Sequence, residues 1–493
     1  MTRLVSQLFV SALISILFLA GCNTKIDDGL IPITTESDSA RKLYLQGRDM
    51  QERLLSQQSR GILEKCVAED PEFALGYLAL TLSQPTHKDS MESIRLAVKY
   101  SENASEGERL LILAYVAALE GDLLAQGRNL RKLVSSYPKD ARAHDLLGNY
   151  YYKQQKYSEA ITQYTKAIAL SPDFSAPYNN LGYSYRAIGK YDEAAKTFQQ
   201  YIQLIPNDPN PYDSYAELLM KMGRFDDSIK NYRKALEVRP DFTFSHVGIA
   251  SDLTYLGESD EARKELAILL DEAEDDGQRR EAFTAIALTY AHDGDYDNTI
   301  RAIKQQFELA SKEQDIATMA SDLNMMGDVY YEAGKYDEAD ANFAQAHEIV
   351  ASSELPDNLK QQAERTILYN EARIALKRKD LETAQAKTDA YSRAAVKTGD
   401  PNQIRQSHEL MGMLALAKAD YKTAISEFEL GNLENAYSLY NLALAYEGSK
   451  DKDKALEFSK KAANFNELDE FNYAFVRMKA RALADKLSND IKS

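Results

Sequence analysis

The sequence predicts an all-α fold, a right-handed α-solenoid of roughly eleven helix-turn-helix units. Two observations carry this prediction. A pattern of small and large apolar residues recurs at an offset of 34 residues, and a proline closes each copy. A repeat of this length is typical of solenoids, in which each unit buries its apolar face only against its neighbours.

Three consecutive copies of the repeat align residue by residue. The first contains Leu147, Gly148, Tyr151, Ala160, Tyr164, Ala167 and Pro172. The second contains Leu181, Gly182, Tyr185, Ala194, Phe198, Tyr201 and Pro206. The third contains Tyr215, Ala216, Leu219, Ser228, Tyr232, Ala235 and Pro240. The small residues leave room where two antiparallel helices cross, the large ones fill the adjacent groove, and the proline ends the second helix.

These residues resemble the tetratricopeptide repeat family, whose Leu-Gly-x-x-Tyr, Ala, Phe, Ala and Pro pattern they follow from about 141 to 242. Another clear copy runs from Met326 to Ala346, and a fainter one from Met411 to Phe428. Spacing there stretches to about 40 residues, which predicts longer helices. The resemblance implies a scaffold that binds protein or peptide partners on its concave side.

The first helix of each unit is expected to supply that concave side. Counting from the packing residues places thirteen side chains there: Arg142, Asp145, Asn149, Tyr152, Asn179, Tyr183, Arg186, Asp213, Glu217, Met220, Asn324, Asp328 and Tyr331. Such a surface can hydrogen-bond the backbone of an extended peptide while the tyrosine rings supply apolar contact. The alternative is that these are solvated helix faces with no ligand.

Some members of the family clamp C-terminal peptide tails with lysine, arginine and asparagine side chains. The matching positions here hold Asp145, Asn149, Asn180, Asn210 and Ser214. The amides are present and the cations are missing, so a free carboxylate would meet Asp145 instead of an ammonium. The sequence therefore argues against a tail-binding site of that type.

The N-terminus has the order of an export signal. Arg3 precedes an apolar run from Leu8 to Leu19, which is short for a membrane span. Leu19-Ala20-Gly21-Cys22 resembles a bacterial lipobox, which implies acyl chains on Cys22 as the first mature residue. Because Asn23 stands where Asp tends to retain such proteins at the inner membrane, we expect an outer-membrane anchor that faces the periplasm. An ordinary secretory peptide is the alternative.

Composition divides the chain into five segments. We expect a signal peptide over 1–21, a flexible tether over 22–39, a first repeat array over 40–275, a second array with longer repeats over 276–468, and a capping helix with a tail over 469–493. The acidic stretch Asp271–Gly277 suggests the joint between the two arrays.

The formal net charge of −17 argues against nucleic acid as a partner, since binding to phosphates needs a basic stripe. Only two cysteines occur. If Cys22 is acylated, Cys66 has no partner, and its place in the repeat predicts a buried, inert thiol.

Fragments that imitate catalytic motifs fall on repeat positions. Gly182 to Gly189-Lys190 has the wrong spacing for a phosphate loop, and Asp293 opens a calcium-loop pattern that lacks its glycine and its closing glutamate. The six histidines form no HExxH pair. We therefore expect no catalysis, no metal and no cofactor.

Together these features predict a lipid-anchored adaptor of the cell envelope that binds protein or peptide partners without chemistry of its own. The alternative is an envelope glycan-binding protein, or an accessory subunit of an envelope enzyme. Sugar sites favour Trp, and the chain has 31 Tyr, 16 Phe and no Trp, which ranks glycan capture second. The residues select neither an oligomeric state nor a particular partner.

Overall fold

The computed structural model describes residues 29–53, 55–84, 87–273, 275–468 and 471–492. Within these ranges all regular structure is helical, with 25 α-helices, a 3-10 turn at Ser101–Asn103 and no strand. The predicted α-solenoid of helix-turn-helix units is confirmed. The proposed signal peptide and Cys22 lie outside the described residues.

Twenty-four helices form twelve antiparallel pairs, one more than the sequence count of about eleven. The first helices of the pairs are α1 (Asp38–Glu52), α3 (Ala74–Thr81), α5 (Glu106–Leu119), α7 (Ala141–Lys153), α9 (Ala176–Ala187), α11 (Asn210–Lys221), α13 (Thr243–Leu256), α15 (Asp276–His292), α17 (Ile316–Glu332), α19 (Asp357–Lys377), α21 (Pro401–Ala417) and α23 (Ala436–Gly448). The second helices are α2 (Ser56–Glu69), α4 (His87–Tyr100), α6 (Leu123–Ser136), α8 (Tyr157–Leu170), α10 (Tyr191–Leu204), α12 (Phe225–Val238), α14 (Ser259–Glu272), α16 (Tyr296–Glu313), α18 (Tyr336–Ala351), α20 (Leu381–Thr398), α22 (Tyr421–Leu430) and α24 (Lys452–Ala463). The last helix is α25 (Phe471–Lys492).

The predicted small-to-large packing holds each pair together. Gly148 of α7 lies against the buried ring of Tyr164 on α8, and a Cβ added to Gly148 would fall 2.5 Å from that ring. Gly182 meets Phe198 in the next unit in the same way. Any side chain at these glycines would therefore push the two helices apart.

Helix lengths differ along the chain as the sequence predicted. The helices α7 to α14 have 12–14 residues, whereas α15 to α21 have 16–21. The helices α22 to α24 are short again, with 10–13 residues. Across the acidic stretch 271–277, α14 and α15 pack directly against each other.

The segment 29–37 lies on the first units. The backbone N–H of Ile31 donates to Asp140 at 3.0 Å, and that of Thr34 donates to Glu108 at 2.7 Å. Ile31 and Ile33 pack against two apolar clusters. A free tether over 22–39 was therefore the wrong prediction for residues 31–37, because their apolar side chains and backbone amides find partners on the repeats.

The second half of the solenoid returns along the first half. Asn358 at the start of α19 donates to the carbonyl of Leu119 at 3.0 Å, across 239 residues. Farther along, the hydroxyl of Tyr157 donates to Glu434 at 2.5 Å. Neighbour-to-neighbour stacking alone would not produce these contacts, so the superhelix closes on itself.

Helix α25 completes this closure. It packs on α23 and α24, as a terminal cap does, and also on α15. Its buried residues Tyr473, Val476 and Ala480 share one apolar cluster with Met220 of α11 and Tyr255 of α13. The C-terminal arm thus occupies the concave side of the middle units. In the described part of the chain, no helix is both long and apolar enough to cross a membrane.

Candidate functional site

The concave groove of the first five units encloses a cavity of about 600 Å³. The helices α1, α3, α5, α7 and α9 and the segment 29–37 surround it. We call this space the N-terminal cavity. One wall is apolar, and its side chains are Ile31, Ile33, Leu75, Leu78, Leu82, Leu111, Tyr115, Leu130 and Leu146. Its volume is that of a typical binding site for a small ligand or a few peptide side chains.

The polar part of the lining, which we call the polar wall, is connected across the groove by an ion pair. Arg142 of α7 makes two hydrogen bonds to the carboxylate of Glu52 on α1, at 2.7 and 3.0 Å. Arg48 lies one helical turn before Glu52 and pairs with the same carboxylate at 3.7 Å. This paired geometry is a strong form of ion pair, and it links the first unit to the fourth.

Asp145 is a carboxylate of this wall that forms no ion pair with another described residue. Its side chain is 7% exposed, and its oxygens accept hydrogen bonds from Asn149 at 3.2 Å and Asn180 at 3.0 Å. Burial raises its pKa to about 7, against the two amide donors. Tyr164 fixes Asn149 by donating to its carbonyl oxygen at 2.7 Å. The carboxylate is thus held by neutral donors at the edge of an apolar space.

Two further predicted residues line the same cavity. The side-chain carbonyl oxygen of Asn179 is buried and has no hydrogen-bond partner within the described residues. Tyr152 lies edge-on against Tyr157, with ring centroids 5.3 Å apart. The structure therefore gathers Arg142, Asp145, Asn149, Tyr152 and Asn179 in one place.

The next five predicted residues belong to the middle of the groove, which the chain fills itself. Glu467, in the non-helical segment 464–468, pairs with Arg186 at 2.7 Å and Lys221 at 2.5 Å. Arg186 also binds Glu217, which accepts from Tyr183 at 2.9 Å.

Asp213 and Met220 are buried on the neighbouring helix α11. Asp213 accepts from Ser245 at 2.7 Å, and Met220 packs with Phe465 and Tyr473. We call the surface of α9, α11 and α13 that the segment 464–468 covers the middle groove. Its sequence-predicted residues contact other parts of the chain.

The last three predicted residues lie on α17, and two of them contact the following unit. Arg373 of the following unit binds Asp328 at 2.7 Å and lies over the ring of Tyr331 at 4.4 Å. Asn324 donates to the carbonyl of Ala320 within its own helix. Each of the thirteen predicted residues is buried or half-buried in the structure. That any of them binds a partner stays a prediction.

Sequence reasoning missed the part of the cavity formed by the first three units, where the repeat pattern is weak. Subtracting one period of 34 from Asp145, Asn149 and Tyr152 leads to Leu111, Tyr115 and Ala118, which all line the cavity. Extending the register upstream would therefore have found them. No repeat pattern in the sequence points to the residues of α1 that line the cavity.

The cysteine prediction is confirmed. Cys66 is fully buried, its thiol donates to the carbonyl of Ala40 at 3.2 Å, and burial raises its pKa to about 12. Among the described residues no group of three or more His, Cys, Asp or Glu side chains could hold a metal ion.

Comparison with known families finds repeats in two parts of the chain. Models described as "TPR repeat" and "Tetratricopeptide repeat" match residues 148–186 and 175–208. A further tetratricopeptide repeat model matches 210–242 and 436–467. The last match covers α23 and α24, a copy that the sequence analysis did not single out. No curated protein matches the chain.

Several solved structures of repeat proteins align with parts of the fold. A tetratricopeptide repeat protein from Parabacteroides merdae is 17% identical, with a TM-score of 0.37, and the alignment covers 53% of this chain and 99% of that one. MamA is 23% identical over 33% of this chain and 95% of its own, with a TM-score of 0.29. YrrB, described as a TPR protein with an unusual peptide-binding site, is 18% identical over 36% and 91%, with a TM-score of 0.26. The chain contains tetratricopeptide repeats, and the family models place them at 148–242 and 436–467.

Proposed function

We propose that this chain is a lipid-anchored, non-catalytic scaffold of the cell envelope that binds a peptide segment of a protein partner in the N-terminal cavity. The observation that carries the proposal is the division of the concave surface. Five predicted groove residues line a cavity of about 600 Å³, whereas the predicted residues farther along are covered by the chain itself. Tetratricopeptide repeats in general act as protein-interaction scaffolds, which supports this use of the cavity.

The cavity offers both features that peptide recognition needs. The apolar wall of Leu78, Leu82 and Leu111 can bury side chains of a partner. The unpaired carbonyl oxygen of Asn179 can accept a backbone N–H. Because the helices and the Arg142–Glu52 pair fix these groups in advance, a ligand would bind with little rearrangement.

Partner capture tests this proposal with two matched substitutions. Leu82 lines the cavity and is 54% exposed, whereas Leu124 is 73% exposed and lies outside the lining. Crosslinked pull-down from intact envelopes should lose its protein partners with Leu82→Trp, which fills part of the cavity, and keep them with Leu124→Trp. Equal recovery with both variants would contradict a role for the cavity. Recovery of oligosaccharide instead of protein would favour the glycan-binding alternative.

The anchor is the second part of the proposal. Leu19-Ala20-Gly21-Cys22 supports acylation of Cys22, and Asn23 supports the outer membrane facing the periplasm. Metabolic labelling with a fatty-acid analogue should label the wild-type chain and fail with Cys22→Ser, which should also leave the membrane fraction. Labelling that persists in Cys22→Ser would contradict the lipobox interpretation.

A further inference from the structure

Resting on the proposed function, we infer that the N-terminal cavity selects a peptide segment that carries a basic side chain between aliphatic ones, with the cation paired to Asp145. The pairing would complete an ionic contact that the described chain leaves open. The aliphatic side chains would lie on the apolar part of the lining.

The charges around the cavity point to a cation. Arg48 and Arg142 both pair with the carboxylate of Glu52, at 3.7 and 2.7 Å, so neither guanidinium forms an ion pair with Asp145. Asp140 is engaged too, since it accepts from the backbone of Ile31 and caps the start of α7. Asp145 receives only the neutral amides of Asn149 and Asn180. A cationic ligand group would give Asp145 an ion-pair partner, which the described residues do not supply.

The aromatic lining fits the same chemistry. Tyr44, Tyr150 and Phe174 each lie near a guanidinium of the chain, with separations of 5.4, 6.0 and 4.5 Å. Tyr115 and Tyr152 also line the cavity, and within the described residues no cation lies over either ring. Such rings attract an ammonium or guanidinium through their electron-rich faces.

The cavity also discriminates against an acidic ligand. A carboxylate placed beside Asp145 would meet a like charge in a poorly solvated space. The lining cation Lys153 is exposed at the end of α7, where water weakens its effect. A neutral aliphatic peptide would fill the apolar wall and leave Asp145 as it is. The expected order of affinity is basic, then neutral, then acidic.

Three blocked pentapeptides provide the test, measured by titration calorimetry with the purified chain. The probes are acetyl-Ala-Leu-Lys-Leu-Ala-amide and its analogues with norleucine or glutamate in place of lysine. The lysine peptide should bind roughly tenfold more tightly than the norleucine peptide, and the glutamate peptide more weakly than both. Equal affinity for lysine and norleucine would overturn the inference. This comparison needs only the wild-type chain, so it does not depend on how any variant folds.

Substitutions locate the effect. Asp145→Asn keeps the shape of the side chain and should abolish the preference for lysine over norleucine. The matched control is Asp173→Asn, an exposed carboxylate near α7 that does not line the cavity, and it should keep the preference. A preference that survives Asp145→Asn would overturn the assignment to Asp145.

Failure of this inference is distinguishable from failure of the proposed function. Peptides that bind without regard to charge, and that Leu82→Trp displaces, would remove the charge selection and support the cavity as a peptide site. Absence of binding by all three peptides would overturn the inference, and the pull-down with Leu82→Trp and Leu124→Trp would then decide the function separately.

Discussion

The N-terminal cavity and the middle groove are built from the same repeat, but the chain's own C-terminal arm fills only the middle groove. In both, the first helices present polar and aromatic residues to the inside of the superhelix. In the middle groove, Arg186 and Lys221 hold Glu467 of the chain's own C-terminal arm. In the cavity, Asp145 and Asn179 face a space of about 600 Å³. Repeat register alone therefore identifies an inner surface without showing whether it is free for a partner.

The middle groove shows what its residues recognise. Phe465 lies with its ring 3.8 Å from the ammonium of Lys221, and Glu467 lies between two cations. The segment that carries both residues is not helical. It thus occupies the groove much as a non-helical peptide ligand would, with an aromatic anchor and a charge-assisted contact.

Substitution of Tyr473, which anchors α25 against the middle units, should have the largest effect on the stability of the closed superhelix. Tyr473 is fully buried, and its hydroxyl donates to the carbonyl of Ala463 at 2.9 Å. Tyr473→Ala should cost about 3–5 kcal/mol of unfolding free energy, because it leaves a cavity between the two arms. Urea unfolding measures this loss. On the same helix, Met478→Ala serves as the control, since Met478 is 60% exposed and should change stability by less than about 0.5 kcal/mol. Similar values for the two variants would contradict a structural role for the closure.

The charge contact should have the next largest effect. Burial alone would raise the pKa of Glu467, but Arg186 and Lys221 hold this pKa below its usual value. Glu467→Gln should therefore destabilise the chain by about 2 kcal/mol at pH 7, since it leaves the largely buried ammonium of Lys221 without a carboxylate, while Arg186 keeps only Glu217. The contribution of this carboxylate should disappear in the wild type as pH falls through the lowered pKa of Glu467.

A surface pair supplies the control for this prediction. Glu457 and Lys461 are both more than half exposed and lie 2.6 Å apart, so Glu457→Gln should cost at most about 0.5 kcal/mol. Denaturant unfolding of both variants makes the comparison. An effect of Glu467→Gln no larger than that of Glu457→Gln would show that the contact adds little to closure.

The two regions should also differ in their response to pH. Burial raises the pKa of Asp145 to about 7 and that of Asp252, on α13, to about 8. Each of these carboxyl groups has a higher pKa in the folded protein than in the unfolded chain. The folded protein therefore becomes less stable as pH rises from the unfolded-state pKa to the folded-state pKa. Between pH 7 and 8 the wild type should therefore lose up to about 1.4 kcal/mol through Asp252 and less through Asp145.

Melting curves at pH 7 and 8 check this prediction. Asp252→Asn should flatten the dependence in that interval, whereas Asp145→Asn should flatten it mainly below pH 7. Identical profiles for the two variants would contradict the difference in environment between the cavity and α13.

The smallest effect is expected where the second half of the superhelix meets α5. Asn358→Ala removes the hydrogen bond to the carbonyl of Leu119 and should cost about 0.5–1 kcal/mol. Asn342 is the control, because its amide bonds only within its own helix and is exposed. Thermal melts of Asn358→Ala and Asn342→Ala give the comparison, and a larger loss for Asn342→Ala would argue against the contact between the coils.

The sequence predicted most of what adjacent units do to each other. Gly148 with Tyr164 and Gly182 with Phe198 are local pairs that a fixed period reveals, and the longer helices after α14 follow from the wider spacing. The contacts that close the superhelix on itself could not be predicted from the repeat period. Glu467 meets Arg186 across 281 residues, and a single contact between distant units leaves no periodic signal in the sequence.

The candidate site was predicted in part for the same reason. The predicted residues of α7 and Asn179 of α9 line the cavity, and the regular repeats there are what made them identifiable from the sequence. Glu52 was not found, since it joins the cavity only by reaching Arg142 from the first unit. The sequence also gave no sign that Tyr183 and Tyr331 would be covered by distant or neighbouring side chains.

The contacts between coils bear on how the molecule responds to load. A chain of hairpins that touch only their neighbours can lengthen like a spring and can unravel from either end, one hairpin at a time. Here hydrogen bonds between Glu467 and Arg186 and between Asn358 and Leu119 connect successive turns of the superhelix. A force that pulls the two ends of the chain apart must first break these hydrogen bonds. The molecule should therefore be stiff under tension and give way in a few large steps.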